Sequence, residues 1–389
     1  MACERQITVT EHLRAVVVAP NQHIMYHALD ALEHFGVSPR ETVLIISASS
    51  QNHHDRVLAV ASNHVWRQVC DVGLPSIMHP LRRTFAADLY RVQRTISFLH
   101  DLVRQEPDPL ELFVSGFYGH PVDRTASTIL RPRQSVLVDD GNMTREVARN
   151  RPGERAAGLR AAMRWNSTWD AVSLKGRIKI MLLRTIAGVQ DRGDHCLVFY
   201  THHRNLPVSA PDLVVAAGEQ ILDRPISEEV HLLGIPAVER SIVTATHYRT
   251  LLQWVAQRYK GWSITYHAHP AEGPDECRIA SEAIPGVRIE PNQLPYEVRF
   301  RRNPNAPREV VAFYSSALAN LAAIAPSDTK LVAIVIPGLM ITDQVRRARV
   351  EQIYRDLQNI GRVSLITVQP AGIDAVIADS TPSDPAQVG

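Results

Sequence analysis

The chain has 389 residues, long for a single core and ample for two domains. Apolar residues make up 45% of it, and 42 basic against 40 acidic side chains leave a net charge of +2, so composition gives no ground for nucleic acid as a partner. Four cysteines, Cys3, Cys70, Cys196 and Cys277, stand at no metal-ligand spacing and are too few for a disulfide scaffold, which predicts reduced thiols in a cytoplasmic protein.

The opening MACERQITVTEHLR is charged and carries no hydrophobic signal segment, and no apolar run approaches the ~18 residues of a membrane span. RAVVVAP (14–20) is the first predicted strand, ended by Pro20. QHIMYHALDALEHFG then shows helical apolar spacing at Ile24, Ala28, Leu32 and Phe35, with Gly36 as its stop. ETVLIISAS is a second strand, and VWRQVCDVGLP and DLYRVQRTISFLHDLVRQ are expected as helices. LELFVSGF and SVLVDDG are further strands, each an apolar run that ends in small or polar residues. Residues 146–193, with many arginines and two tryptophans in AAMRWNSTWDAV, are expected to be helical.

A second α/β series is predicted from HCLVFYTHH (195–203). DLVVAAGEQ, SITYHAH and GVRIEP are strands, SIVTATHYRTLLQWVAQRYKGW is a helix, and EVVAFYSSALANLAAIA runs from strand into helix. LVAIVIP and RVSLITVQP close the series around the charged helix TDQVRRARVEQIYRDLQNIG. Alternating strands and helices predict parallel sheets covered on both faces. The predicted organisation is an N-terminal Rossmann-like domain over 1–150, a helical connection over 151–194, a second Rossmann-like domain over 195–375 and a flexible tail over 376–389. Ligands in such sheets bind beyond the carboxyl ends of the strands, and two such domains predict a site in the cleft between them.

The strand ends carry the chemistry. Asp139, Asp140 and Gly141 follow SVLV. Two adjacent acids raise one another's pKa and can supply a base, although Asp-Gly is also common turn chemistry. His269-Pro270 follows SITYHA, placing an imidazole where it can donate to a phosphate or protonate a leaving oxygen. His267 shares its strand face, a spacing that can also pair on a metal, but no third ligand stands at a recognisable spacing. Ser315-Ser316 precede ALANLAAIA, a hydroxyl pair that serves either as an anion site at a helix N-terminus or as an ordinary cap. Glu290 follows GVRI, and Gly218, Glu219 and Gln220 follow DLVVAA. Together these describe a phosphate held by serines and a histidine, opposite a carboxylate base.

The order Asp-Asp-Gly, then His-Pro 130 residues on, then Ser-Ser-Ala a further 46 on, resembles bacterial sialyltransferases, which share D/E-D/E-G, HP and paired-serine motifs on a two-domain GT-B fold. VVVAPNQHIMYHALDALEHF, with Gln22, is similar to their opening strand and helix, and VRIEPNQLPYEV to their acidic stretch before the serines. The resemblance spans most of the chain and is weak over 146–195.

It implies a GT-B-like fold and inverting transfer of a nonulosonic acid from its CMP-activated form to a glycan or lipid-linked glycan hydroxyl. Asp139 or Asp140 would be the base, with Asp139 favoured. His269, Ser315 and Ser316 would hold the CMP phosphate, His269 also as the acid. Glu290 would bind the ribose, with Glu297 as the second choice, and Gly218 to Gln220 would lie near the nucleotide. Acceptor contacts are expected from the loops holding Gln22 and Gly116. No metal and no other cofactor is required if these donors suffice.

The rivals are a Kdo transferase using CMP-Kdo, a metal-dependent hydrolase built on Asp139, Asp140, His267 and His269, and a binding relative without catalysis. SLKGRIKIMLLRTIAGV (173–189) has a basic edge along an apolar stripe, expected as a buried helix or as peripheral contact with the inner face of the cytoplasmic membrane. RFRRNPNAPR (299–308) is expected as a basic loop, and a homodimer is compatible with the chain.

Overall fold

The computed structural model describes residues 12–48, 51–73, 85–116, 121–139, 144–145, 147–149, 196–202, 206–217, 221–291 and 294–368. The chain divides into two compact units, Met1–Gly218 and Glu219–Gly389.

In the first unit a parallel sheet runs in the order β3-β2-β1-β4-β5-β6-β7. Its strands are β1 (Ala15–Ala19), β2 (Thr42–Ile46), β3 (Gln68–Asp71), β4 (Leu112–Ser115), β5 (Gln134–Val138), β6 (Leu197–Thr201) and β7 (Leu213–Ala216). Helices α1 (Gln22–His34), α2 (Gln51–Ala61), α3 (Phe85–Gln105) and α4 (Pro121–Leu130) connect them. Strands β1 and β2 are buried along their whole length, which is why they read as unbroken apolar runs. α1 starts where the Asn21 side chain accepts from the Ile24 N–H at 3.0 Å, and it stops before Gly36, whose φ of +64° a side chain would strain. Its buried stripe of Ile24, Met25, Ala28, Ala31 and Leu32 packs on the sheet, each large member contributing about 1.5–3 kcal/mol.

The second unit repeats the pattern as β10-β9-β8-β11-β12-β13. These strands are β8 (Ile226–Leu233), β9 (Ser263–His267), β10 (Arg288–Glu290), β11 (Ala306–Ala312), β12 (Lys330–Val335) and β13 (Val363–Thr367). Its helices are α5 (Ala245–Arg258), α6 (Pro274–Ala283), α7 (Tyr296–Arg302), α8 (Ala317–Ile324) and α9 (Gln344–Gln358). Both sheets place the first strand of their unit third from one edge, with the order reversing beside it, as in doubly wound Rossmann folds.

Several sequence expectations change. β6 and β7 extend the first sheet, β6 pairing with β5 through Ser135↔Leu197 to Val138↔Tyr200, so the second unit begins after Gly218 rather than at 195. An apolar run announces a strand but not its neighbour. VWRQVCDVGLP holds the edge strand β3, not a helix. Apolar residues at 65, 66, 69, 70 and 72 imitate a helical stripe, while β3 itself is largely exposed and lacks strand alternation. β8 escapes recognition because ISEEVHLL opens with polar residues. The acidic stretch after Pro270 enters helix α6, and most of the basic loop at 299–308 is α7 followed by the start of β11. The expected helical connection at 151–194, the 173–189 segment and the tail at 376–389 lie outside the described residues. Among those described, no helix is long and apolar enough to cross a membrane.

Candidate functional site

Because each sheet is parallel throughout, the carboxyl ends of its strands share one edge, and there the two units supply different groups. In the first unit β5 is an interior strand with partners on both sides. Asp139 directly follows it and is fully buried. Its Oδ1 accepts from the Thr144 hydroxyl at 3.0 Å and its Oδ2 from the Thr201 hydroxyl at 2.9 Å. The carboxylate therefore fastens the chain after β5 to the end of β6. A base must come within hydrogen-bond reach of the proton it takes, and both oxygens of Asp139 already face protein donors. Asp140 lies outside the described residues, as do Gly218, Glu219 and Gln220.

Gln22, at the start of α1, is 9% exposed. Gly116 follows β4, and a Cβ there would stand 2.1 Å from Ile24 Cδ1, so close packing of α1 on the sheet requires the glycine. His23, His27 and His202 collect nearby, with ring centroids 4.5 Å apart for His23–His27 and 5.9 Å for His27–His202. Sequence reasoning missed this group. The signal available was the i, i+4 spacing of His23 and His27 and the position of His202 after a strand.

In the second unit the register makes the strand ends level, with Leu233 opposite both His267 and Ala312, and His267 opposite Glu290. The ladder continues past them: Gly234 N–H donates to His267 O at 2.8 Å and Ala268 N–H to Glu290 O at 3.1 Å. His269 is half-buried at this edge. Its Nδ1 accepts from the Ala271 N–H at 3.0 Å, which in the neutral ring leaves the proton on Nε2. Its backbone N–H donates to Glu272 at 2.8 Å. The other oxygen of Glu272 accepts from the Tyr266 hydroxyl at 2.6 Å, and Tyr266 meets Tyr248 at 2.8 Å.

Burial pushes the Glu272 carboxyl up to about 8, against the hydrogen bonds from Tyr266 and the His269 backbone, which pull it down, while the nearby Glu276 adds to the rise. Gly234 makes room for this carboxylate, since a Cβ there would lie 2.5 Å from each of its oxygens. Glu272 carries no weight in the sequence reading, yet it holds the turn that presents His269. Glu276 accepts from the backbone N–H groups of Gly273 and Glu239 and fastens the start of α6.

β11 ends three residues before Ser315, and both serines are partly exposed. Ser316 is the N-terminal neighbour of α8, and Ser315 Oγ accepts from the Ala317 N–H at 3.3 Å. The first N–H groups of α8 are taken by the serines, Leu318 N–H donating to Ser315 O at 3.3 Å and Ala319 N–H to Ser316 O at 2.9 Å, so the serine hydroxyls are what this strand end offers a ligand. Glu297 at the start of α7 accepts from Asn320 Nδ2, within α8, at 3.0 Å. Glu290 instead pairs with Arg299 at 2.7 Å and Arg288 at 3.6 Å. Of the two glutamates it is Glu297, the sequence's second choice, that lies against the helix opened by the serines. His267 packs against His231 and Tyr296 in tilted and edge-on contacts, with ring centroids 4.5 and 4.9 Å away, so the histidine pair of SITYHAH separates into a strand-face residue and a turn residue. Among the described residues no group of three His, Cys, Asp or Glu is placed to hold a metal ion.

No family model and no curated protein matches the chain. Similarity is found to solved structures. TcCGT1 in complex with UDP is 9% identical over 94% of this chain and 89% of its own, with a TM-score of 0.53. The spinosyn forosaminyltransferase SpnP is 11% identical over 95% and 89%, with a TM-score of 0.51. A Photobacterium 2,6-sialyltransferase, solved with CMP and lactose, is 10% identical over 90% and 78%, with a TM-score of 0.46. Two α/β units, each on a parallel sheet, give this chain the fold of GT-B glycosyltransferases.

Proposed function

We propose that this protein is an inverting glycosyltransferase that moves a nonulosonic acid from its CMP-activated form to a glycan hydroxyl. The observation that supports this most directly is the placement of His269, Ser315 and Ser316 just beyond level strand ends of one sheet, in the order the sialyltransferase resemblance implies. In the proposed step a carboxylate of the first unit takes the acceptor proton. The acceptor oxygen forms a bond to the anomeric carbon. The bond from that carbon to the phosphate oxygen breaks, and its electron pair leaves with CMP. Charge grows on the phosphate, where the His269 Nε2–H and the serine hydroxyls donate to it.

The base assignment moves to Asp140, because both oxygens of Asp139 already accept from threonines. The ribose assignment moves to Glu297, because Glu290 is paired with two arginines. Acceptor contacts are assigned to the region of Gln22, and the chain needs no metal in this scheme.

CMP release, measured with CMP-Neu5Ac, CMP-Kdo and CMP-legionaminic acid against a broad acceptor set in EDTA, tests the reading. Release with CMP-Neu5Ac or CMP-legionaminic acid supports it and names the acid, whereas release with CMP-Kdo alone favours the Kdo transferase. No release with any donor overturns it, and activity restored only by a divalent cation favours the hydrolase.

A further inference from the structure

The strands β8, β9 and β10 present one polar face. By register and alternation, Glu229, His231, Ser263, Thr265, His267, Arg288 and Glu290 share it, with Leu233 at the end of β8, whereas the same face of β11 and β12 carries Val310, Ala312, Leu331 and Ala333. A sheet face beneath a helix needs no such polarity to fold. α7 lies over part of it, and beside that helix opens a cavity of about 310 Å³ lined by His231, His267, Arg288, Glu290, Arg299, Arg302 and Asn303.

His231 is satisfied. Its Nε2 meets Glu229 at 3.4 Å, so that nitrogen carries the proton and Nδ1 accepts from the Tyr296 hydroxyl at 2.8 Å. His267 is not. It is 9% exposed, and its Nε2 has no hydrogen-bond partner; the Thr265 hydroxyl, 1% exposed on the same face, has none either. Each such orphan costs about 1–3 kcal/mol, so two on one face of a three-strand edge call for an explanation. The charge is also unbalanced. Arg288, Arg299 and Arg302 stand against Glu290 and Glu229, which leaves one guanidinium in excess when the histidines are neutral, and among the described residues Arg302 has no carboxylate partner.

We propose that this cavity is a second ligand site, separate from the strand-end site, and that it binds a small oxyanion: the phosphate of a sugar phosphate or the carboxylate of a sugar acid. Guanidinium forks suit both groups, and the His267 ring lines the same cavity. The inference does not rest on the glycosyl-transfer reading, since every residue in it belongs to the second unit and none is assigned a role in that reaction.

Calorimetry on the full-length chain, with inorganic phosphate and with glucuronate as probes and with and without saturating CMP, tests it. Arg288→Gln and Arg302→Gln remove exposed side chains and preserve the fold. The expected result is binding of at least one probe, unaffected by CMP and weakened about tenfold by each substitution. The probe that binds identifies the class of ligand. The ring resonances of His267, followed with labelled histidine, shift on titration. Binding of neither probe overturns the site, as do affinities unchanged by the substitutions, competition by CMP or a silent His267 ring.

Discussion

The strand end at Asp139 and the strand end at His269 both lie at the carboxyl edge of a parallel sheet, yet they are built in opposite ways. At Asp139 the acid that draws the eye in the sequence is itself the fastener, fully buried and saturated by Thr144 and Thr201. At His269 the prominent residue stays half-buried, and the fastener is Glu272, three residues further on. Both ends use a carboxylate, fully buried at Asp139 and partly buried at Glu272, that accepts from hydroxyl or amide donors to fix the segment leaving a strand. In one case the clamp lies inside the motif and in the other just beyond it, so the letters of a motif do not by themselves separate clamp from catalyst.

The largest expected effect tests that division at the first strand end. Asp140→Asn should lower kcat by roughly 10²–10⁴ with an unchanged melting temperature, the usual reach of a general base. Asp139→Ala should instead destabilise the first unit by about 2 kcal/mol or more, since it strands two buried hydroxyls. Paired melting curves and kinetics distinguish the two. A catalytic loss without a stability loss at Asp139 would return the base to that residue.

Next in size is His269→Ala, which should reduce kcat/KM for the CMP donor by roughly 10²-fold through lost stabilisation of the leaving phosphate, and should also weaken CMP binding. His267→Asn, at the other histidine of the same stretch, should leave CMP affinity unchanged, because that ring lies on the sheet face against His231 and Tyr296. Equal losses at both positions would merge the two sites that the geometry separates.

These contrasts show how much was legible beforehand. Apolar runs that end in polar residues located most strands, because a strand buried on both faces of a parallel sheet must be apolar throughout. Three things were hidden. The polar opening of β8 conceals a strand whose face serves the cavity beside α7. The pairing of β6 with β5 is a long-range choice that no local pattern encodes. The partners of Asp139, Glu290 and Glu297 are set by side-chain contacts across elements, and neighbouring carboxylates in a sequence look alike until those contacts are known.

A smaller effect separates the two glutamates near the serines. Glu297→Gln should raise the donor KM about tenfold by weakening a charge-assisted hydrogen bond to the ribose, with kcat nearly unchanged. Glu290→Gln should leave the donor KM as it is, since its carboxylate serves Arg299 and Arg288. Steady-state kinetics with the donor varied decides between them, and the reverse pattern would restore Glu290 to the ribose.

The smallest effect at neutral pH is also the most diagnostic of the clamp at His269. Glu272 titrates near 8 in the folded chain because burial disfavours its charge. Unfolded, it titrates near the ordinary glutamate value of about 4.3. Between those values the folded state holds the extra proton, so this group's stabilisation is complete below the unfolded pKa and is lost as pH rises through 8. Glu272→Gln removes that dependence and also removes one acceptor, costing about 1 kcal/mol at low pH. Its stability curve should therefore start below that of the unsubstituted chain at pH 4, converge with it as pH rises and lie above it at pH 9. His267, held down to about 2 by burial, acts in the opposite direction, its contribution being lost as pH falls below about 6.5, but it is common to both chains and cancels in the difference. Urea denaturation of both chains from pH 4 to 9 gives the comparison. Parallel curves would mean that Glu272 is ionised throughout, and that the turn carrying His269 is held by a charged carboxylate rather than a protonated one.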